Sequence, residues 1–375
     1  MRILLVNKYY PPHVGGIEFH VRDLAEGLAR AGHEVRVLVC NESGRHAVES
    51  VGGVEVVRCK RAFEKASTPV SFEFRRMLDK YAAQADIVHF HFPYPYGEFE
   101  WLRSKAFLGT PYVVTYHTDI VRQKFALALY RPYLEQFLDG AARIMASSPQ
   151  LIEYSDFLSR RSHKCVQVNF GLPVEHIAHN EAAKKRAVEL RTSLANRPIV
   201  LFVGRFVYYK GVEVLIDSMP LVDAEYVAIG SGPLKTVMEE RARELGVCDR
   251  LHIIDYAADE ELIAWYHAAD VLALPSVLPS EAFGLVQIEA HAAGTPTVST
   301  LLESGVPYAN LDGMTGFSVE VGSSRAFAEG LNKILVDETL KRKLGEQAQR
   351  RALGEFTIEA MVTKVSEVYR GALQR

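Results

Sequence analysis

The amino-acid sequence predicts an α/β protein with two doubly wound, Rossmann-like domains that face each other across a cleft. Three observations support this prediction. Strand and helix signals alternate along the chain, which favours parallel sheets covered by helices on both faces. The alternation begins again near residue 198, and 375 residues are enough for two domains of ordinary size. With 48% hydrophobic residues, each domain can bury a core of its own.

The first domain is predicted to cover residues 1–172. It opens on an apolar strand over 3–6, followed by a loop that contains two prolines and two adjacent glycines. Apolar residues at helical spacing then predict a helix over 17–31, which Gly32 ends. Further strands are predicted over 34–39, 54–58, 87–90, 112–116, 144–146 and 165–168, with helices between them, for example over 72–83 and 130–138.

A polar stretch over 173–197 predicts a linker, and the second domain is predicted to cover 198–355. The predicted strands of this domain are 199–203, 226–229, 251–254 and 271–274, and the helices that alternate with them are 212–219, 234–245 and 260–268. Three more helices follow, over 326–336, 338–353 and 358–374. Because ligands bind beyond the carboxyl ends of parallel strands, functional residues are expected in the loops after these strands.

Composition narrows the classes of function. A net charge of −3 argues against a nucleic-acid-binding protein. Four widely separated cysteines without a Cys-x-x-Cys pair argue against a zinc ribbon or a redox pair. We find no signal peptide at the start of the chain and no apolar run of the ~20 residues that a transmembrane helix needs. A cytoplasmic protein is therefore expected.

Basic and aromatic residues mix at 101–107 and 122–125, and a further basic cluster lies at 58–61. Residues 1–170 carry 22 Lys and Arg against 18 Asp and Glu. Such patches are usually solvated faces. If they have a function, they would contact a lipid pyrophosphate or an anionic lipid surface, which would place the protein peripherally at the inner face of the plasma membrane.

The segment 275–300 carries the most informative pattern, because Glu281 and Glu289 flank a glycine-containing turn that opens a short apolar helix. The first turn should leave backbone N–H groups free to hold a sugar or a phosphate. These groups belong to Phe283, Gly284, Leu285 and Val286. A carboxylate among apolar neighbours is costly unless it is hydrogen-bonded, and sugar hydroxyls would do this. Either glutamate alone could instead pair with a structural cation or lie in a solvated loop.

Two cations, Arg205 and Lys210, lie in the loop after the first strand of the second domain, between Gly204 and Gly211. An arginine fork and a lysine point charge at the ligand edge of a sheet suit a diphosphate. They would also offset the negative charge of a departing nucleotide. The alternative is a pair of solvated loop cations.

Glycines mark two further candidate ligand loops. Gly15 and Gly16 precede the first helix and can present N–H groups to a phosphate. Gly230 and Gly232 lie in a turn after a strand and permit close approach to a ligand, although an ordinary turn would have the same pattern. Neither loop has the Gly-x-Gly-x-x-Gly spacing, which disfavours an NAD-dependent oxidoreductase.

Polar residues also follow strands of the first domain. His117 and Asp119 come directly after the strand 112–116, and His89 and His91 alternate near the end of another. A lone histidine is more often structural than catalytic. Asp119 suits either an acceptor contact or the N-cap of the next helix. His89 and His91 could bind a metal, but the sequence shows no third ligand, so His91 is predicted to line the cleft.

Together these motifs resemble those of the retaining nucleotide-sugar glycosyltransferases of family four, which have the GT-B fold. The resemblance lies in the pattern Glu-x-Phe-Gly-Leu-Val-x-x-Glu, in the Gly-Arg-x₄-Lys-Gly loop and in the Gly-x-Gly-Pro turn. It covers nearly the whole chain and is most specific at 203–211, 230–233 and 275–316. It implies that the last segment, 356–375, is a helix that crosses back to the first domain.

The resemblance implies that the second domain binds a nucleotide-sugar donor and that the acceptor enters from the first. Glu281 would bind hydroxyls of the sugar, and Glu289 those of the ribose. The implied donor-binding residues are Gly15, Gly16, Gly204, Arg205, Lys210, Gly230, Gly232, Tyr256, Glu281, Phe283, Gly284, Leu285, Val286 and Glu289. The implied catalytic residues are His117, Arg205, Lys210 and Glu281, and the acceptor would meet His91 and Asp119.

The loops at 7–12 and 91–95 resemble a subgroup of bacterial mannosyl- and rhamnosyltransferases that build polysaccharides. This implies GDP-mannose as donor and a lipid-linked or oligosaccharide acceptor. Asp255-Tyr256-Ala257 departs from the glycine that many members have near the base, which leaves the identity of the base open. A UDP-sugar of the glucose type is the alternative donor.

Since the chain has no Asp-x-Asp motif, we expect a metal-independent hexosyltransferase without a cofactor. Two further classes of protein would also fit these motifs, namely a nucleotide-sugar epimerase of the same fold and a non-enzymatic nucleotide-sugar sensor.

Overall fold

A computed structural model of the chain describes residues 1–65, 67–119 and 124–374 and divides it into two compact units. The first unit comprises Met1–Leu172 and Ile358–Arg375, and the second comprises Pro173–Thr357. Each unit is built around a sheet of mainly or wholly parallel strands. The predicted α/β class with two doubly wound units is confirmed.

The sheet of the first unit has eight strands, and the same unit contains a separate two-stranded sheet. The strands are β1 (Arg2–Val6), β2 (Glu34–Asn41), β3 (Ala47–Val51), β4 (Val54–Lys60), β5 (Phe63–Lys65), β6 (Thr68–Val70), β7 (Ile87–Phe92), β8 (Tyr112–Tyr116), β9 (Arg143–Ala146) and β10 (Cys165–Gln167). The order in the large sheet is β10-β9-β8-β7-β1-β2-β4-β3, and β3 pairs antiparallel with β4. Because the strand order reverses between β1 and β7, the loops that follow these strands lead away from each other.

Strands of the first unit bury side chains on both faces. Leu4 and Val6 belong to one apolar core, and Ile3 and Leu5 belong to the other. Successive side chains of a strand point to opposite faces, so a sheet that is covered on both sides needs almost continuous apolar strands. The helices of the first part of this unit are α1 (Gly16–Arg30), α2 (Phe74–Ala82), α3 (Pro95–Leu102), α4 (Lys124–Gly140) and α5 (Pro149–Tyr154).

The second unit contains a six-stranded sheet whose strands are all parallel. The strands are β11 (Ile199–Val203), β12 (Glu225–Ile229), β13 (Leu251–Ile254), β14 (Val271–Leu274), β15 (Thr297–Thr300) and β16 (Gly316–Val319). Their order, β13-β12-β11-β14-β15-β16, is that of a dinucleotide-binding Rossmann domain. Its switch point, where ligands bind in such sheets, lies between β11 and β14.

The helices of the second unit begin with the segment that the sequence predicts as a linker. They are α6 (Val174–Ala178), α7 (Glu181–Ser193), α8 (Val212–Ser218), α9 (Lys235–Glu244), α10 (Asp259–Ala268), α11 (Leu285–Ala292), α12 (Val306–Ala309), α13 (Ser324–Leu335) and α14 (Glu338–Glu355). Helix α7 packs against α10, so residues 173–197 belong to the second unit rather than forming a free connection.

The last helix, α15 (Ile358–Leu373), belongs to the first unit. It packs against α1 so closely that a Cβ atom on Gly27 would lie 2.6 Å from Cγ2 of Val362. Met361, Val365 and Tyr369 on the same helix are buried in the core that contains β1. Among the described residues, no helix has both the length and the apolar content that crossing a membrane would require.

Candidate functional site

The loops with the predicted diphosphate- and sugar-binding residues leave the second sheet at its switch point. Strand β11 ends at Val203 and its neighbour β14 ends at Leu274. The strands that follow them lie on opposite sides, and in sheets of this kind ligands bind beyond the carboxyl ends of the two strands at such a point. The first loop contributes Lys210 and the second contributes Glu281.

Lys210 and Glu281 form an ion pair at this switch point. Nζ of Lys210 lies 2.6 Å from Oε2 of Glu281, and only about a tenth of each side chain is exposed (11% and 10%). Ser276 donates a hydrogen bond from Oγ to the same oxygen at 3.0 Å. Removing two charges from water costs about as much as their attraction returns, so stability alone does not explain the pair.

Glycines allow the two loops to meet. Gly211 has a left-handed backbone with φ of 66°, and a Cβ atom there would lie 1.9 Å from the carbonyl oxygen of Pro275. The amide of Val277 donates to the carbonyl of Tyr209 at 2.8 Å, which ties the loops together. Gly204 lies beside the lysine, since a Cβ atom there would be 3.3 Å from Nζ of Lys210. The backbone therefore fixes the position of the buried cation.

Arg205 differs from Lys210 in its surroundings. Its side chain is exposed, and within the described part of the chain its guanidinium makes no hydrogen bond or ion pair. The loop after β11 therefore has one cation that is already paired and one that can approach an anionic ligand.

Gly230 and Gly232 are needed for contacts within the protein. A Cβ atom on Gly230 would lie 2.1 Å from the carbonyl oxygen of Gly204, and one on Gly232 would lie 2.5 Å from that of Phe206. The amide of Phe206 also donates to the carbonyl of Ser231 at 2.9 Å. The Gly-x-Gly-Pro turn thus braces the loop that contains Arg205, and this contact accounts for its glycines without a ligand.

The turn before α11 is shaped by Gly284, whose φ of 73° is left-handed. Helix α11 starts immediately after it, with Leu285 and Val286 half-buried in its first turn. The ring of Phe283 is buried, with its centroid 6.2 Å from that of Tyr308. Phe283 could therefore reach a ligand through its backbone rather than its ring.

Glu289 lies further along α11 and is partly buried. Its Oε2 accepts a hydrogen bond of 2.5 Å from the hydroxyl of Tyr266. Burial raises the pKa of Glu289, and the hydrogen bond from Tyr266 opposes that change. Among the described residues, the carboxylate that we predict for the ribose therefore has one hydrogen-bond donor, the hydroxyl of Tyr266.

Tyr256, predicted to lie near the base, follows β13. Its side chain is 80% exposed, so the ring is accessible for stacking. The neighbouring Asp255 forms an ion pair at the surface, with its Oδ1 lying 2.6 Å from Nζ of Lys235.

In the first unit, the predicted phosphate loop contains a carboxylate that the sequence analysis did not single out. Gly15 precedes α1 in an extended conformation, and a Cβ atom on it would lie 2.1 Å from Oε2 of Glu18. A Cβ atom on Gly16 would meet no atom within 4 Å. Glu18 lies in the first turn of α1, where negative charge is favoured, so a phosphate at this position would have to share the helix start with it.

The structure brings His117 and His91 together. Nε2 of His117 lies 3.1 Å from Nδ1 of His91, and both side chains are buried. Burial, with the neighbouring histidines, lowers the pKa of both imidazoles well below the usual value, so they are neutral at pH 7. The ring of His117 also stacks on Phe170 at a centroid distance of 5.8 Å.

His20, from α1, completes this group, and sequence reasoning missed it. Its ring centroid lies 5.1 Å from that of His117 and 5.5 Å from that of His91. It shares the buried side of α1 with Val21 and Leu24, and this helical spacing was the signal that could have revealed a buried histidine.

Asp119 is held within the first unit. Its Oδ1 accepts hydrogen bonds from the hydroxyl of Tyr116 at 2.5 Å and from Oγ of Ser155 at 2.8 Å. Its carboxylate can still accept further bonds. Residues 120–123, including Arg122 and Gln123 of the predicted basic and aromatic segment, lie outside the described residues.

Comparisons with known proteins show which family the chain resembles. Residues 187–351 match the family described as Glycosyl transferases group 1, and residues 14–156 match the one described as Glycosyltransferase Family 4. O-antigen chain mannosyltransferase C of Escherichia coli is 31% identical over 375 residues, with 100% of this chain and 99% of that protein covered. D-rhamnosyltransferase WbpZ of Pseudomonas aeruginosa is 32% identical over 358 residues, with 95% and 92% covered.

A solved structure agrees with the fold. Sucrose-phosphate synthase of Thermosynechococcus elongatus superposes with a TM-score of 0.79 at 24% identity, covering 98% of each chain. The matches extend over both units and include the loops after β11 and β14. The chain therefore belongs to glycosyltransferase family 4, within the group 1 glycosyl transferases, and has the GT-B fold.

Proposed function

We propose that this glycosyltransferase moves mannose from GDP-mannose to a lipid-linked or oligosaccharide acceptor during polysaccharide synthesis in the cytoplasm. The two curated relatives, whose names specify mannosyl and D-rhamnosyl transfer, support the choice of donor. The observation that carries the proposal is the contact of 2.6 Å between Lys210 and Glu281 at the switch point of the second sheet.

In this proposal, contacts to the donor replace the contact between Lys210 and Glu281. A diphosphate gives Lys210 a new anion, and a sugar hydroxyl gives Glu281 a new hydrogen-bond donor. Each buried charge therefore keeps a partner when the nucleotide sugar enters, which avoids the cost of an isolated buried charge. Arg205 is exposed and would bind the diphosphate as a second cation.

The reaction that we propose retains the configuration of the sugar and uses no protein nucleophile. The oxygen of the acceptor hydroxyl bonds to the anomeric carbon while the bond from that carbon to the phosphate oxygen breaks. The bonding electron pair goes to the phosphate oxygen, which takes up the hydroxyl proton. Lys210 and Arg205 stabilise the charge on the departing diphosphate, a role for which a metal ion is then not required.

His117 is proposed to hydrogen-bond the transferred sugar. Its neutral imidazole suits this role because it can donate from one nitrogen and accept at the other. In the structure it is 6% exposed and lies against His91, so we expect substrate binding to loosen that contact.

Nucleotide binding provides the first test. Thermal unfolding would be followed with GDP, UDP, ADP and their sugars, using hydrogen exchange to separate the two units. A nucleotide at 100 times its Kd should stabilise the second unit by about 2.7 kcal/mol. Stabilisation by GDP but not UDP supports the mannose donor, and the opposite selectivity supports the UDP-sugar alternative. No stabilisation by any of these compounds would refute the proposed donor site.

Product analysis separates the transferase from the epimerase and the sensor. With GDP-mannose and an oligosaccharide acceptor, we expect an α-configured mannoside and GDP, whereas an epimerase would give an isomerised sugar and a sensor would give no product. Glu281→Ala should mainly reduce transfer, and Glu289→Ala should mainly weaken GDP binding. Glu320→Gln, on an exposed carboxylate of the same unit, is the matched control and should change neither.

A further inference from the structure

Arg58 belongs to the basic cluster at 58–61, but its side chain is buried inside the first unit. It lies near the carboxyl end of β4, and only 11% of its side chain is exposed. Val56, two residues earlier on the same face of the strand, is buried in the core that contains β1. A cation that meets solvent or a lipid surface would be exposed, so the role of Arg58 lies within the protein.

The guanidinium of Arg58 contacts the loop between β1 and α1. Its Nη1 donates to the carbonyl of Tyr10 at 3.1 Å, and its Nη2 donates to the carbonyl of Pro11 at 2.5 Å. Its Nε donates to Oε1 of Glu49, on β3, at 2.6 Å. The planar fork of arginine thus reaches two successive carbonyls of one loop, while the ion pair with Glu49 holds the guanidinium in place.

The loop depends on a donor of this kind because of its composition. Pro11 and Pro12 have no amide hydrogen, so this part of the loop cannot attach itself by donating backbone hydrogen bonds. Backbone polar groups away from water need partners, and the carbonyls are the groups that remain. Among the described residues, Arg58 is the only residue outside the loop that donates to the carbonyl of Tyr10 or of Pro11.

The contact with Tyr10 extends to the candidate phosphate loop. The carbonyl of Tyr10 also accepts a hydrogen bond of 3.3 Å from the amide of His13, which closes the turn that leads to Gly15 and Gly16. The ring of Tyr10 is buried in the core around β1, and the guanidinium carbon of Arg58 lies 5.8 Å from its centroid. A shift of this turn would therefore move both glycines.

We propose that Arg58 is a positioning residue for glycosyl transfer, which holds the loop between β1 and α1 so that Gly15 and Gly16 meet the donor. Arg58 itself touches no substrate in this role. The role depends on the function proposed above, because it requires these glycines to belong to the donor site. It also depends on geometry more than on charge, since lysine would keep the charge but lacks the fork that serves two carbonyls and a carboxylate together.

Arg161 is a matched control in the same unit. Its Nε donates to Oδ1 of Asp139 at 2.6 Å, its Nη1 donates to the carbonyl of Phe157 at 3.0 Å, and 9% of its side chain is exposed. These contacts and this burial resemble those of Arg58. Arg161 precedes the amino end of β10, however, whereas the candidate ligand loops follow the carboxyl ends of strands.

Hydrogen exchange without substrate tests the position of the loop. In Arg58→Lys, amides in the segment 13–19 should exchange about five- to tenfold faster than in wild type, because the loss of one hydrogen bond changes a local opening equilibrium by about this factor. Arg161→Lys should leave exchange in this segment within about twofold of wild type.

Rates of mannosyl transfer test the consequence for the reaction. They would be measured at a temperature where urea unfolding shows every variant to be folded. Arg58→Lys and Arg58→Gln should both lower kcat at least about tenfold, because a misplacement of about 1 Å can cost about 100-fold. Arg161→Lys should keep kcat within about twofold of wild type. The Kd of GDP alone should change less than about threefold in all three variants, because the proposed nucleotide contacts lie in the second unit.

Glu49→Ala provides a second route if the Arg58 variants do not fold. The side chain of Glu49 is 44% exposed, so its removal should cost little stability. The guanidinium then loses the partner of its Nε, and we expect loop exchange to rise and kcat to fall by about threefold each. Wild-type values for both quantities in Glu49→Ala would contradict the role of Arg58.

Unchanged loop exchange in Arg58→Lys would overturn the positioning role whether or not the chain transfers mannose. A wild-type kcat in Arg58→Lys with a loss in Arg58→Gln would also overturn it, since charge alone would then suffice. Equal losses of kcat in Arg58→Lys and Arg161→Lys would indicate general destabilisation instead. If wild type transfers no mannose, the proposed function fails, and the same rates would be measured with the nucleotide sugar that wild type does use.

Discussion

At the scale of single residues, the ion pair of Lys210 and Glu281 connects two loops that are far apart in the sequence. The pair is nearly enclosed, at 11% and 10% exposure of the side chains, and Ser276 gives Glu281 one further hydrogen bond. Since a buried pair gains little net free energy over apolar residues of the same size, its polar character suits ligand binding better than it suits stability. Each charge depends on the other until a donor binds.

Removing one member of this pair should therefore cost stability. Lys210→Met leaves the carboxylate of Glu281 buried without its cation, and we expect a loss of about 3–5 kcal/mol in the free energy of unfolding. The double variant Lys210→Met/Glu281→Gln should recover most of this loss, because no charge is left unpaired. Neither variant should bind GDP with wild-type affinity. Urea unfolding of wild type, the single variants Lys210→Met and Glu281→Gln, and the double variant measures the coupling.

The exposed pair of Lys235 and Asp255 is the control for this cycle, because its contact is also 2.6 Å long. At 35% and 63% exposure it is largely solvated, so Lys235→Met should change the unfolding free energy by less than about 1 kcal/mol. Similar losses at the buried and exposed pairs would contradict the importance that we assign to burial.

The sequence predicts Lys210 and Glu281 as ligand-binding residues but does not predict their contact with each other. Arg205, Lys210 and Glu281 were predictable because each lies in a loop directly after an apolar strand, at the ligand edge of a parallel sheet. Their partners depend on which strands become neighbours, and the local pattern does not specify that. His20 was missed for the same reason, since its neighbours His91 and His117 come from other elements.

At the scale of elements, the glycines of the candidate loops fall into two groups. Gly230 and Gly232 allow one turn to pass within contact distance of the backbone of another, at φ of 145° and 157°. Gly16 is the first residue of α1, and a Cβ atom there would lie in open space. Packing explains the first group, whereas Gly16 is a position where an added methyl group tests for ligand contact without a clash inside the protein.

Gly16→Ala should thus separate binding from folding. Alanine is a better helix former than glycine, so the unfolding free energy should stay within about 1 kcal/mol of wild type. If the donor diphosphate lies against this helix start, the added methyl group should weaken GDP-mannose binding at least about tenfold, a loss of about 1.4 kcal/mol. Calorimetric titration and thermal melting of the same samples check both expectations.

Two other glycines serve as controls for that experiment. Gly371→Ala, in α15, also places a methyl group in open space, so it should raise the unfolding free energy by no more than about 1 kcal/mol and leave GDP-mannose binding unchanged. Gly230→Ala should destabilise the second unit, because its Cβ atom would lie 2.1 Å from a carbonyl oxygen. Unchanged affinity in Gly16→Ala would remove the first helix from the donor site.

Among the elements, strands with a continuous apolar run were the most predictable, and short strands with a polar or mixed pattern were the least. Strands β11 and β14 were predicted with the bounds that the structure has, because both are continuous apolar runs between helices. Strands β15 and β16 were not predicted. They have four residues each, and Thr and Ser occupy much of β15, so their pairing in the sheet defines them more than their own apolar pattern does.

At the scale of the whole molecule, the chain forms two units that each have their own apolar cores. The division does not follow chain order, because α15 belongs to the first unit although the second unit precedes it in the sequence. Its buried face contributes Met361, Val365 and Tyr369 to the core around β1. The last eighteen residues are therefore part of the folding unit that contains the three histidines.

A charge on the buried face of α15 should unfold the first unit selectively. Val365 is 2% exposed, so Val365→Asp buries a carboxylate without a partner and should cost about 3 kcal/mol or more. Thr363→Asp places the same charge two residues away on the exposed face and should cost less than about 0.5 kcal/mol. Hydrogen exchange measured on peptides from β1 and β7 should show faster exchange in Val365→Asp alone.

Peptides from β11 and β14 should keep their protection in both variants, since the second unit has a separate core. Equal loss of protection in both units would mean that the chain unfolds as one cooperative body, and the assignment of α15 to the first unit would then carry no energetic meaning.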